Sequence, residues 1–117
     1  MSNNLDDLLK ELRDEYIASL PQKIVTISEH LKQQDWTTLR DDFHKLKGTG
    51  KTYGLPVVSE IGEVVEKICL TKTQSAPQAI PLAVDLLLKV YQLYKTTPTP
   101  PAPVQFPQEL EALRKLL

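Results

Sequence analysis

His44-Lys45-Leu46-Lys47-Gly48-Thr49-Gly50-Lys51-Thr52-Tyr53-Gly54 is the stretch that decides how this chain is read. Set on a helix at about 100° per residue, it and the residues before it divide into two faces. Trp36, Leu39, Phe43, Leu46, Gly50 and Tyr53 share one arc, the expected core face. Thr37, Arg40, Asp41, His44, Lys47, Gly48 and Lys51 share the opposite arc. The pattern therefore puts the His44 imidazole in solvent. Lys47 lies beside it and Gly48 one turn beyond, because residues three and four apart are neighbours on a helix surface.

Two glycines in one helix need a physical reason, since each costs about 1 kcal/mol relative to alanine. Gly50 falls on the core arc, where a missing side chain lets a neighbouring helix approach. Gly48 falls on the exposed arc, where core packing explains nothing. A bare patch beside an exposed imidazole suits a partner that must bring its own backbone close.

The surrounding chain has 117 residues, enough for one domain, with 41% hydrophobic and 25% charged residues. These are ordinary values for a soluble globular protein. A net charge of -1 gives no general attraction to nucleic acid or to an anionic membrane. No apolar run approaches the roughly 20 residues of a membrane span. Met-Ser-Asn-Asn-Leu-Asp-Asp at the start lacks the basic flank and apolar stretch of a secretory signal. A single cysteine, Cys69, allows neither an internal disulfide nor a cysteine zinc cluster. The expected location is the cytoplasm.

Outward from the histidine stretch, Asp35 is placed to cap a helix starting at Trp36, and Gly54 suits the left-handed residue that ends it. Upstream, Leu5, Leu8, Leu9, Leu12, Tyr16 and Ile17 follow a helical rhythm that Leu20, Ile24, Ile27 and Leu31 continue beyond Pro21. A break or strong kink is expected near Ser19 to Pro21, giving an additional N-terminal helix. Downstream, Pro56 suits the first turn of a helix with an apolar stripe of Val57, Ile61, Val64, Val65 and Ile68 that fades near Thr71. After a loop to Ala76, a helix is expected over about 77–95, burying Ile80, Val84, Leu87, Leu88, Tyr91 and Tyr94. Residues 1–95 thus read as an all-α, antiparallel four-helix bundle. Residues 96–107 hold five of the nine prolines and read as a linker. Residues 108–117 read as a short amphipathic helix that is marginal alone and must dock.

The chemistry such a bundle offers is that of its exposed imidazole. Imidazole in water has a pKa of about 6.5 and keeps a free lone pair at pH 7. It can attack an activated phosphoryl group and form a phosphoramidate. Lys47 is placed to contact the incoming oxygens, and Lys51 to shape a partner's approach. No metal cage and no second exposed base is expected near His44. His30, near a helix end and without a glycine neighbour, reads as a histidine that favours the helix dipole. Gly48-Thr49-Gly50-Lys51-Thr52 ends like a phosphate-cradling loop. However, Lys45 stands where that pattern needs its first glycine, and the strand that should precede it is missing.

His44-x-Leu46-Lys47-Gly48 followed by Gly54 resembles the signature of histidine-containing phosphotransfer (HPt) domains, which relay phosphoryl groups in two-component signalling. Asp35 before the histidine helix and Val65-Glu66 near the end of the next extend the resemblance, which runs to about Tyr94. It implies that His44 is the phosphorylated residue, that Lys47 contacts the phosphoryl group, and that Gly48 leaves room for a partner. It further implies a phosphocarrier rather than a self-sufficient enzyme, on a four-helix bundle with an extra N-terminal helix. The implied partners are a response-regulator receiver domain, a hybrid histidine kinase, or both. The chain would have no cofactor of its own, and the receiver would carry the magnesium. Gly50 departs from the commoner Ser or Ala and is expected to loosen the helix. A monomer is the simplest expectation. A binding-only relative that is never phosphorylated, and the detached phosphoacceptor domain of a chemotaxis-type kinase, are the alternatives.

Overall fold

A computed structural model describes residues 4–96 and 106–117. Its regular structure consists of helices α1 (Asn4–Lys32), α2 (Trp36–Gly50), α3 (Pro56–Thr71), α4 (Ala76–Thr96) and α5 (Pro107–Arg114), with one 3-10 turn at Thr73–Ser75. No helix among the described residues is long and apolar enough to cross a membrane.

The expected break at Ser19 to Pro21 does not occur, and there is no separate N-terminal helix. α1 runs unbroken for 29 residues with Pro21 inside it. An interior proline costs about 3 kcal/mol through its missing N–H and ring clash. Leu20, Ile24 and Ile27, on both sides of it, are 0%, 7% and 2% exposed. At about 1.5–3 kcal/mol for each buried side chain, packing one continuous helix outweighs the proline. The early apolar rhythm of α1 has a different outcome. Leu5, Leu8 and Leu9 remain exposed, and burial begins at Tyr16.

α2 begins as expected, with the Asp35 carboxylate accepting from the Thr38 backbone N–H at 3.2 Å and from its hydroxyl at 2.7 Å. The hydroxyl bond, then the backbone bond, hold the Asp35 carboxyl below its ordinary value. Regular helix ends at Gly50, and the chain turns through Lys51–Gly54. Leu55 N–H reaches Gly50 C=O at 2.8 Å and Gly54 N–H reaches Lys51 C=O at 3.2 Å. Gly54 takes φ +82°. This is a Schellman closure with glycine at the left-handed position.

The four long helices each contact two others: α1 meets α2 and α4, and α3 meets α2 and α4. Their buried faces form one core. On α3 the whole expected stripe is buried, together with Val58, Ser59, Gly62 and Cys69. On α4 the buried face is Ala76, Ala79, Ile80, Ala83, Leu86, Leu87, Val90 and Tyr94, rotated from the expected one. Leu88 is exposed, and Val84 and Tyr91 are half-buried, while Ala76, Ala79 and Ala83 are buried in their place. α5 packs on α3 and α4 through Leu110 and Leu113, 3% and 1% exposed. Arg114 pairs with Glu60 at 3.6 Å and Lys89 with Glu109 at 3.4 Å. The proline-rich linker expected over 96–107 falls at 97–105 outside the described residues; Thr96 and Pro107 belong to α4 and α5.

Candidate functional site

α2 and α3 are packed unusually close at the level of His44, and two glycines set the distance. A Cβ on Gly62 would lie 2.4 Å from Lys47 N and 2.5 Å from Phe43 O. A Cβ on Gly50 would lie 2.6 Å from Ser59 N and 2.8 Å from Val58 Cβ. The start of α3 therefore closes on Gly50, where a Ser or Ala side chain would not fit. In this chain the glycine permits packing, rather than simply loosening the helix. The buried Ser59 hydroxyl accepts the Lys51 N–H at 2.5 Å and secures the turn.

Glu66 lies one turn beyond Gly62, so the close approach carries its carboxylate to the histidine. His44 Nδ1 stands 2.6 Å from Glu66 Oε2, and Lys47 Nζ donates to Glu66 Oε1 at 3.3 Å. The side chains are 65%, 15% and 44% exposed for His44, Glu66 and Lys47. The sequence offers no second exposed base near His44; the base that stands there is Glu66, a largely buried carboxylate. Burial, the largest single influence on Glu66, pushes its carboxyl up. The hydrogen bonds and charges of His44 and Lys47 together outweigh burial and hold it below the ordinary value. A carboxyl with a lowered pKa stabilises the fold above its unfolded value of about 4.3. That stability is lost only as pH falls through the lower, folded value. The carboxylate is therefore ionised throughout the neutral range.

An ionised carboxylate only accepts hydrogen bonds, so Nδ1 of neutral His44 carries the proton. The in-plane lone pair then belongs to Nε2. The arrangement can do nucleophilic chemistry: Nε2 is free to attack, and Glu66 stabilises the positive charge that develops on the ring.

Gly48 is bare, as the wheel implied: a Cβ there would meet nothing within 4 Å. Lys51 is exposed but stands apart from the cluster. It borders a different groove, shared with Lys10 and Arg13 of α1, and makes no ion pair among the described residues. On the α3 side, Lys47 and Glu66 border an open groove of about 450 Å³ completed by Glu63, Leu70, Arg114 and Leu117. His30, near the end of α1, has a partner the sequence did not reveal: its Nδ1 lies 2.6 Å from Asp42 Oδ2. The stretch Gly48 to Thr52 occupies the end of a helix and the turn after it, with no strand before it. The nucleotide-cradling geometry is therefore absent.

Glu66 is the member of the cluster that sequence reasoning missed. Val65-Glu66 was legible as a motif, but nothing in the spacing said which α2 side chain the carboxylate would face. Comparison with protein families gives a match to the Hpt domain over residues 11–116. Comparisons with curated proteins and with solved structures return no match.

Proposed function

The chain belongs to the Hpt domain family, and from that premise we propose that it accepts a phosphoryl group on His44 Nε2 and passes it to an aspartate of a receiver domain. Hpt domains are phosphocarrier modules that work with receivers and kinases in phosphorelays. The four long helices are read as the family's antiparallel four-helix bundle, with His44 on its outer surface. The observation that carries the assignment to His44 is the 2.6 Å bond from its Nδ1 to Glu66, on a ring that is otherwise open to solvent.

The reaction follows from that bond. Nε2 attacks the phosphorus of a phosphoaspartate. The N–P bond forms, the P–O bond breaks, and the aspartate leaves as a carboxylate. The ring becomes an imidazolium with its Nδ1 proton retained and held by Glu66, so no proton need be released. Lys47, already at the edge of the cluster, exchanges part of its contact with Glu66 for a phosphoryl oxygen. Transfer back to a receiver reverses these steps, and the ring leaves as neutral imidazole with its Nδ1–H still donated to Glu66. The receiver is expected to supply the magnesium ion and most of the catalytic groups.

The test is to load the protein from a phosphorylated receiver or from phosphoramidate and map the label by mass spectrometry. Acid-labile, base-stable phosphate on the peptide containing His44, with phosphorus NMR reporting the Nε2 isomer, is the expected result. Receiver binding without any such label would identify a binding-only module.

Two substitutions probe the roles separately. Glu66→Gln keeps an acceptor for Nδ1 but removes the charge. A charged hydrogen bond is worth about 1 kcal/mol more than a neutral one, so transfer should slow about fivefold at unchanged label position. An unchanged rate would deny Glu66 its part. Gly48→Gln adds a side chain where there is open space. It should leave the fold intact or slightly firmer and slow transfer from a receiver while sparing transfer from phosphoramidate. Equal slowing with both donors would mean that Gly48 is not the partner's access point.

A further inference from the structure

The first turns of α1 are amphipathic, and none of the described residues covers their apolar side. Leu5, Leu8 and Leu9 are 67%, 50% and 52% exposed. Leu5, Leu9 and Leu12 follow at spacings of four and three and so line up as one stripe, with Leu8 at its margin. The stripe borders an open groove of about 540 Å³ between α1 and the Lys51–Gly54 turn, with Tyr53 half-buried at its end. The groove carries Lys10, Arg13 and Lys51 against one carboxylate, Asp6, although the chain as a whole has a net charge of -1. Within it Arg13 packs over Gly54, and Arg13 Nε is buried with no hydrogen-bond partner among the described residues. A buried donor with no acceptor is rare in folded proteins.

We propose that this surface is covered by the same segment of a second copy of the chain, in an antiparallel pairing of the two α1 N-terminal halves about a two-fold axis. In such an interface residue i meets j and j meets i. With Leu9 set against Leu12 of the second copy, Leu5 is carried towards Tyr53 at the end of the groove. On the flank of the stripe, Asp6 comes beside Arg13 of the second copy, and the symmetric contact forms at the other end. The acidic first turn, Asp6 and Asp7, thus enters the basic groove and brings a carboxylate to the Arg13 guanidinium. What selects a second copy over an unrelated protein is that both halves of each match, stripe with stripe and acid with base, lie on Asn4–Tyr16 and the turn beside it. Helices paired over so short a length cover little more than the roughly 1,000 Å² that a specific interface needs. Association is therefore weak and concentration-dependent. It replaces the monomer expected from sequence and does not depend on the phosphotransfer reading.

Sedimentation equilibrium of the 117-residue chain tests this. The mass should rise from 13.2 kDa at micromolar concentration towards twice that at millimolar concentration. Leu9→Glu should raise the dissociation constant at least about tenfold, a change of about 1.4 kcal/mol. Asp6→Arg and Arg13→Asp should each abolish pairing, and mixing the two variants should restore it as a heterodimer. Circular dichroism checks that each variant stays folded. Leu9→Glu and Asp6→Arg, both at exposed positions, keep the test decisive if Arg13→Asp does not fold. A single-chain mass at every concentration, or a dimer indifferent to Leu9→Glu or Asp6→Arg, overturns the proposal. So does a mixture of two folded charge variants that stays monomeric. A monomer whose receiver binding is weakened by Leu9→Glu overturns it in favour of a docking face for that partner.

Discussion

His44→Gln should reduce phosphoryl incorporation by roughly 10³-fold or more, as expected when a nucleophile is removed outright. A glutamine amide has no lone pair able to form a stable N–P bond, whereas its size and helix propensity suit the exposed face of α2. The folded state loses the contact to Glu66. That contact joins a largely exposed ring to a carboxylate, and such pairs contribute less than about 1 kcal/mol. Thermal unfolding should therefore move by only a few degrees while labelling falls to background, a separation that marks chemistry rather than folding. The comparison with Glu66→Gln sharpens it: the carboxamide at position 66 slows the reaction, and the carboxamide at position 44 ends it. Label persisting at full level in His44→Gln would move the acceptor elsewhere. His30 would be the residue to examine, but its ring is 24% exposed and bonded to Asp42, with no bare neighbour to admit a receiver.

The second large effect is on stability. Gly62→Ala should destabilise the fold by about 2 kcal/mol net, although alanine is the better helix former by about 1 kcal/mol. The added methyl would sit within 2.6 Å of two backbone atoms of α2. Backbone cannot rotate aside as a side chain can, so α3 must shift, and overpacking of this kind typically costs 1–3 kcal/mol or more. A melting temperature lower by about 10 °C is expected. Activity should fall as well, because any displacement of α3 carries Glu66 away from His44. Gly48→Gln is the counterpart on the same helix pair: a far larger addition, expected to leave stability unharmed. Gly62→Ala melting with the parent would mean that the two helices are not held so close.

These two glycines show where sequence reasoning succeeds and where it stops. Gly48 and Gly50 were sorted onto opposite faces by angle alone, and the structure finds open space at one and contact at the other. Asp35, Gly54 and Pro56 marked their helix ends correctly because capping is local chemistry. Pro21 misled for the converse reason. Its local penalty is real, but the burial of Leu20, Ile24 and Ile27 that overrides it comes from other helices. Gly62 drew no notice because its neighbours across the interface lie on α2, far away in sequence. The same applies to Glu66. The Val65-Glu66 pair is legible in the chain, but only the register between two helices aims the carboxylate at His44. The exposure of the imidazole was thus readable from the chain, whereas the carboxylate that fixes its proton was not.

Leu117 lines the same groove as Lys47 and Glu66, which matters for anything attached there. A polypeptide continued from that point would leave the fold beside the Lys47–Glu66 pair. Twenty flexible residues span only roughly 25 Å root-mean-square. Cargo hung from this end would therefore roam the volume around the imidazole at an effective concentration of the order of millimolar. A receiver fused there would meet His44 as an intramolecular reactant, and a bulky purification tag would compete for the same space.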